Sequence, residues 1–365
     1  MSGPHLDRIR RAKEEAADRD LDALIVSPSP DLAYLTGYDP LPWERPTLLV
    51  LRPGVEPVML VPELERALAA ESPVGDHLEL VAWRDGSDPF EAAAGLLAGA
   101  ARVAVADRLW AAHLLGLQGA LPEAAYASAS IVLGRLRAVK DDHELATLRR
   151  AGRGADETFR EIVSMPFQGR SEEEVARDLA ELLVGNGHGR AAFTIVASGP
   201  HAASPHHEPG GRTILPHDVV VMDFGGELAG YFSDTTRTVV VADAPEGFES
   251  AYAVVREAQA AAVEAVRPGV EAQDVDRAAR AIIDAAGYGD RFIHRTGHGI
   301  GLEVHEPPYI VEGDATVLEP GMTFSVEPGI YLEDRFGIRI EDIVAVTHDG
   351  GERLNRSTRD LQVVA

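Results

Sequence analysis

The 365-residue chain is long enough for two or more domains, and its 45% hydrophobic content is ordinary for a soluble globular protein with a full core. A formal charge of −25, from 34 basic and 59 acidic residues, argues against a nucleic-acid or anionic-membrane surface, because such surfaces need clustered Lys and Arg. Cysteine is absent, which excludes disulfides and thiolate ligands; any transition metal would have to be held by His, Asp and Glu.

The N-terminal PHLDRIRRAKEEAADRD reads as a charged amphipathic helix without an apolar signal core. No apolar run approaches the ~20 residues of a membrane span, so a cytoplasmic protein is expected. Leu21–Val26 predicts a buried strand, and Thr47–Leu51 and Val58–Val61 a pair joined through Pro53-Gly54. Residues 63–71 and 88–98 predict helices, and Arg102–Ala106 a further strand. These alternating elements make an α/β domain whose polar residues form no catalytic set. The YLTGY run from Tyr34 to Tyr38 reads as a tight turn whose aromatics pack in the core.

A domain boundary is expected near Arg137–Asp142, dividing the chain into 1–138 and 139–365. There Val139-Lys140-Asp141-Asp142 reads as a linker into an Asp-capped helix. Beyond it the chain repeats itself. A shift of 100 residues pairs Gly169 with Gly269, Val175 with Val275, Arg177 with Arg277, and Gly187 with Gly287. Two related halves follow, each with a long helix (143–163 and 247–266), a second helix (172–186 and 272–286) and then strands.

The strands carry the chemistry. Val219–Phe224, a glycine-bearing loop over Gly225–Gly230 and Tyr231–Arg237 predict a hairpin that brings Asp223 and Asp234 near each other. The later stretch from His294 to Glu341 holds His298 and His305 in a glycine-rich segment. It also holds Glu327 and Glu341 on apolar-alternating runs, whose period of two turns both glutamates toward one polar cleft. Any one of these residues, taken alone, is more often a solvated charge or a turn histidine. Asp223, however, ends a run of four apolar residues, where a solvated side chain is out of place.

Four clustered carboxylates would repel strongly without cations among them, and with an imidazole they exceed the usual ligand set of one zinc with an open position. Two divalent ions answer both points, and such a pair makes hydroxide available near neutral pH, which implies hydrolysis. Other catalytic motifs fail: His143-Glu144 is not followed by a second helical histidine, no phosphate-binding loop or nucleophile elbow is present, and Gly297–Gly301 lacks dinucleotide spacing.

From Val139 onward the sequence resembles the pita-bread metallopeptidases, which include prolidase, aminopeptidase P and methionine aminopeptidase, with creatinase as a metal-free relative. The resemblance rests on MDFGG, YFSDTTRT, TGHGIGLEVHE, SVEPGIY and RIED, in that order. It implies an α/β (α+β) chain in which a creatinase-like N-terminal domain precedes a pseudo-twofold catalytic domain; the N-terminal domain resembles that of the prolidase, aminopeptidase P and creatinase branch, which argues against methionine aminopeptidase. It further implies five metal ligands: Asp223 on one ion, His298 and Glu327 on the other, Asp234 and Glu341 bridging. Glu327 resembles the general base, His206 and His305 the histidines flanking the scissile peptide, Arg339 the arginine that orients the cleft, and Thr236 a residue steadying a carboxylate ligand. Manganese or cobalt suits so oxygen-rich a set better than zinc, which remains possible.

The expected activity is hydrolysis of Xaa-Pro dipeptides by a homodimer. The imide bond lacks an N–H, so a peptidase that anchors its substrate there cannot bind it. Cleavage of longer Xaa-Pro peptides is the alternative enzyme reading. A silent binding protein would have lost a ligand, and a creatinase-like hydrolase would dispense with the metals; the five retained ligands argue against both.

Overall fold

Short apolar runs alternating with helices build the first unit of the computed structural model, which describes residues 3–365 and divides between Arg137 and Ala138. Its strands are β1 (Ala23–Val26), β2 (Leu48–Leu51), β3 (Val58–Pro62), β4 (Glu79–Trp83), β5 (Arg102–Val105) and β6 (Ala125–Ser128). They form one mixed sheet in the order β4-β3-β2-β1-β5-β6. The four central strands are apolar and form its core, with Ile25, Leu48, Leu60 and Val103 fully buried. The outer strands β4 and β6 are half exposed, and for that reason their sequences carry too little apolar pattern to be foreseen.

Residues 30–38 differ from expectation. Pro30–Thr36 is a helix, not a turn, closed by Gly37 in the left-handed region at φ +70°. Tyr34 within it is buried, and its hydroxyl donates to the Leu136 carbonyl at 2.9 Å.

In the second unit two helix pairs repeat: Asp142–Ile162 with Glu172–Gly185, and Phe248–Ala265 with Ala272–Ala285. The shorter helices of the two pairs occupy positions 100 residues apart, and each is preceded by a glycine with positive φ, Gly169 at +86° and Gly269 at +87°. Ser171 then bridges Thr213, and Glu271 bridges Val317. Asp141 and Glu144 close a capping box on the first helix, each side chain accepting from the other's backbone N–H, at 2.8 and 2.9 Å. The preceding segment is no open linker. Val139 bridges Met322, and Lys140 is buried in an ion pair with Glu306 at 2.7 Å.

The strands are β7 (Arg190–Ser198), β8 (Val219–Leu228), β9 (Tyr231–Phe232), β10 (Thr235–Val241), β11 (Gly297–Gly299), β12 (Glu306–Ile310), β13 (Thr323–Val326), β14 (Gly329–Leu332), β15 (Phe336–Arg339), β16 (Asp342–Thr347), β17 (Gly350–Arg353) and β18 (Gln362–Val364). One sheet runs β18-β10-β8-β7 with β9 beside β8, a second β12-β11-β13-β16-β17, and β14-β15 form a hairpin. Each helix pair covers one sheet. Phe159 and Leu179 pack with Met222 and Phe224, and Val255 and Val275 pack with Phe324 and Ile338.

The expected loop over 225–230 is instead strand as far as Leu228. A Cβ at Gly225 would meet the Ser233 carbonyl at 2.1 Å, and one at Gly226 the His188 ring at 2.7 Å, so these glycines permit close packing and make no turn. No helix among the described residues is long and apolar enough to cross a membrane.

Candidate metal centre

Each acidic side chain at the centre owes its place to a strand or to the end of one. Asp223 lies inside β8, between Ile195 of β7 and Thr236 of β10. Asp234 occupies the break between β9 and β10 and is buried. His298 sits on β11 between two glycines that only glycine could fill: a Cβ at Gly297 would stand 1.8 Å from the Ser325 carbonyl, and one at Gly299 2.3 Å from that of Pro307.

The two glutamates do not lie within strands as the alternation suggested. Glu327 follows β13, and Glu341 occupies the kink between β15 and β16. Arg237 fixes that kink. Its Nη1 donates to the carbonyls of Thr236 at 2.9 Å and Glu341 at 2.6 Å, and its Nη2 pairs with Asp342 at 2.7 Å. A fully buried guanidinium with this many acceptors holds the backbone rigid.

Eight of the nine site residues named from the sequence line one cleft of about 660 Å³: His206, Asp223, Asp234, His298, His305, Glu327, Arg339 and Glu341. Ligand atoms of Asp234, His298 and Glu341 lie within 4.8 Å of one another. Nδ1 of His298 is 3.1 Å from the Gly299 carbonyl, which can only accept, so the ring proton is on Nδ1. Burial pushes this imidazole down to about 3, so the ring is neutral and Nε2 presents a lone pair. That lone pair faces oxygen: Glu327 Oε1 at 3.3 Å and Asp234 Oδ2 at 3.7 Å.

The carboxyl groups crowd each other in the same way. Burial raises Asp234 well above its ordinary value, and the charges of Glu341 and Asp223 add to the rise. Burial does the same to Glu341, with Glu327 and Asp223 adding. Glu327 is lifted to about 7 by burial, against the opposing charge of Arg339. His305, its ring 4.0 Å from that of His298, is pushed down by burial.

A hydrogen-bonded chain that the sequence showed only in part supports this group. Arg339 donates from Nη2 to Asp223 Oδ2 at 2.7 Å and from Nε to Thr236 Oγ1 at 3.1 Å; Thr236 in turn donates to Glu341 Oε2 at 2.6 Å. Arg339 Nη1 reaches the Tyr331 hydroxyl at 2.9 Å, which lies 2.8 Å from His294 Nε2. Burial pushes Tyr331 up to about 12 and His294 down to about 3. Sequence reasoning missed both residues. Their signal was adjacency alone, Tyr331 closing SVEPGIY and His294 opening the glycine-rich segment. Phe193 and Ile195 of β7 add an apolar wall to the cleft.

These residues fit divalent cations. The Oδ1 atom of Asp223 is buried with no hydrogen-bond partner among the described residues, and an imidazole lone pair faces two carboxylates. Cations among these atoms would satisfy the first and reverse the repulsion of the second.

Residues 146–348 match Metallopeptidase family M24, and residues 8–139 match the Creatinase/Prolidase N-terminal domain. The chain belongs to metallopeptidase family M24. Among its relatives, a probable dipeptidase PepE of Mycobacterium tuberculosis is 44% identical over 363 residues, covering 98% of this chain and 96% of the relative. An Xaa-Pro dipeptidase of Lactobacillus helveticus is 37% identical over 359 residues, covering 95% and 96%. The crystal structure of dipeptidase PepE from Mycobacterium ulcerans superposes with a TM-score of 0.95 at 43% identity, covering 99% of this chain and 98% of that one.

Proposed function

We propose that this M24 enzyme is an Xaa-Pro dipeptidase, in which Asp223, Asp234, His298, Glu327 and Glu341 hold two divalent cations. The observation that carries the metal assignment is the unprotonated Nε2 of His298 facing Glu327 and Asp234 inside a buried carboxylate cluster. The dipeptide substrate is supported by the names of full-length relatives at 44% and 37% identity.

Bound cations supply Lewis acidity, which lowers the pKa of water and polarises a carbonyl. The protein's own groups do the rest. Glu327, lining the cleft beside His298, is suited to accept a proton from the attacking water and return it to the departing proline nitrogen. His305 and His206, on the rim of the cleft, are placed to donate to the scissile carbonyl oxygen as charge develops there. Arg339 orients two carboxylates at once, Asp223 directly and Glu341 through Thr236. The wall of Phe193 and Ile195 suits the apolar face of a pyrrolidine ring.

An oxygen-rich set with one imidazole favours manganese or cobalt over zinc. We further propose a homodimer and a cytoplasmic location. The deciding experiment strips the protein with a chelator, restores manganese and compares an Xaa-Pro dipeptide with an Xaa-Pro-Yaa tripeptide. Hydrolysis of the dipeptide is expected. Hydrolysis of the tripeptide alone would move the enzyme to the aminopeptidase P class, and no hydrolysis of either would sink the peptidase reading.

A further inference from the structure

A second group of metal-ligating side chains lies outside the cleft lining, at the start of the helix Glu172–Gly185. The Glu172 side chain is 0% exposed, whereas those of His201 and His207 are 42% and 19% exposed. Glu172 Oε1 accepts from the Ser198 backbone N–H at 2.8 Å and from the Ser198 hydroxyl at 2.7 Å. Nε2 of His207 lies 2.8 Å from Oε2, and Nδ1 of His201 lies 3.0 Å from Oε1 and 3.2 Å from Oε2. The Gly210 N–H reaches Oε2 at 3.3 Å, and the two imidazole rings are 4.3 Å apart.

Three features of this group go beyond an ordinary hydrogen-bonded carboxylate. The Glu172 carboxylate is closed off from solvent, and its only ion-pair partners among the described residues are these two imidazoles. Both rings turn a nitrogen to the same carboxylate, and one nitrogen from each histidine and one oxygen from Glu172 lie within 4.8 Å of one another. Ser198 holds Oε1, His207 faces Oε2 and His201 faces both oxygens, an arrangement in which outer hydrogen bonds orient a ligating carboxylate.

We propose that Glu172, His201 and His207 form a further divalent-cation site of the zinc class, separate from the catalytic pair. One carboxylate oxygen and two imidazole nitrogens suit zinc, whereas the catalytic cluster has four carboxylates and one imidazole. Each imidazole would offer the ion the lone pair of the nitrogen that faces Glu172, with any proton there moved to the other ring nitrogen or released. The site ties the helix to both ends of the segment 201–207, which carries His206 and packs so closely on β15 that a Cβ at Gly337 would lie 1.9 Å from the Ala202 carbonyl. A bound ion would therefore hold His206 at the cleft rim; this consequence, unlike the site itself, rests on the peptidase reading.

The test is equilibrium dialysis of the full-length protein against zinc, followed by elemental analysis of the parent, of H201Q/H207Q and of the single variant H207Q. The expected result is one zinc per chain fewer in both variants than in the parent, with catalytic-site occupancy unchanged. Equal zinc content in parent and H201Q/H207Q overturns the site. H207Q removes one partly buried ring and leaves Glu172 its bonds to Ser198, so it reports even if the double variant fails to fold. A parallel D223N/D234N protein separates the two proposals: loss of catalytic ions with retention of one zinc upholds this site whatever becomes of the peptidase reading.

Discussion

His298 and Glu327 approach to 3.3 Å with an imidazole lone pair turned toward a carboxyl oxygen. Without a cation, only a proton on Glu327 makes that contact attractive, and burial lifts this carboxyl from its ordinary 4.5 to about 7. The folded state therefore holds a proton that the unfolded chain releases between those two values.

A pH dependence of the metal-free protein follows. A raised carboxyl contributes stability that is present at low pH and is lost as pH rises through the folded value of about 7. Asp234 and Glu341, raised in the same direction, deepen the loss. Chelator-treated protein should melt several degrees lower at about pH 8 than at about pH 6, and manganese should remove most of that difference. Melting curves across this range, with and without metal, check it; a metal-free protein stabilised by rising pH would contradict it.

Glu327→Gln keeps the shape of the side chain and removes the charge that serves both cation binding and proton transfer. Turnover should fall by at least about 10²-fold while the melting temperature of the metal-free protein at about pH 8 holds or rises. Activity within about tenfold of the parent, a barrier change of only ~1.4 kcal/mol, would remove Glu327 from its assigned role.

His305 is not among the proposed ligands although its ring is 4.0 Å from that of His298. His305→Ala should leave two ions per chain and cost roughly 10²–10⁴ in turnover, the range for lost acid–base or oxyanion assistance. Loss of an ion would make it a ligand, and full metal with full activity would make it structural. Elemental analysis and kinetics on one sample separate these outcomes.

Thr236 takes a hydrogen bond from Arg339 and passes one to Glu341. Thr236→Val keeps the volume but leaves buried acceptors and donors unpaired, at a cost of about 1–3 kcal/mol. Metal affinity should weaken by about 10–100-fold, as for other residues that orient a ligand. Metal titration monitored by calorimetry gives the answer.

Gly297→Ala puts a methyl where the Ser325 carbonyl stands, 1.8 Å away. Backbone cannot yield as a flexible side chain does, so the cost should reach about 3 kcal/mol or more. Denaturant unfolding beside the parent measures it.

Composition and the order of residues by themselves determined the kind of chemistry. With no cysteine and five spaced acidic and imidazole positions from Asp223 to Glu341, the available donors are oxygen and one nitrogen. The helix repeat was legible too, because glycine is the residue that reaches the positive φ found at Gly169 and Gly269. Tertiary structure decided what local pattern does not encode. Glu341 sits in a kink held by Arg237, 104 residues earlier in the chain, so period-two alternation misplaced it within a strand. The free nitrogen of His298 is set by the Gly299 carbonyl, and register slips between these two residues where β11 meets β12, so no count along the sequence gives its direction. His294 and Phe193 line the cleft, and Tyr331 bonds Arg339 and His294, through contacts between segments distant in sequence. Glu172 is, by its place in the chain, one more acidic residue in the first turn of a helix; folding buries it between His201 and His207. Residue order dictates which groups are available and roughly which face of an element they occupy, whereas distances of about 3 Å between groups far apart in the chain arise only from packing.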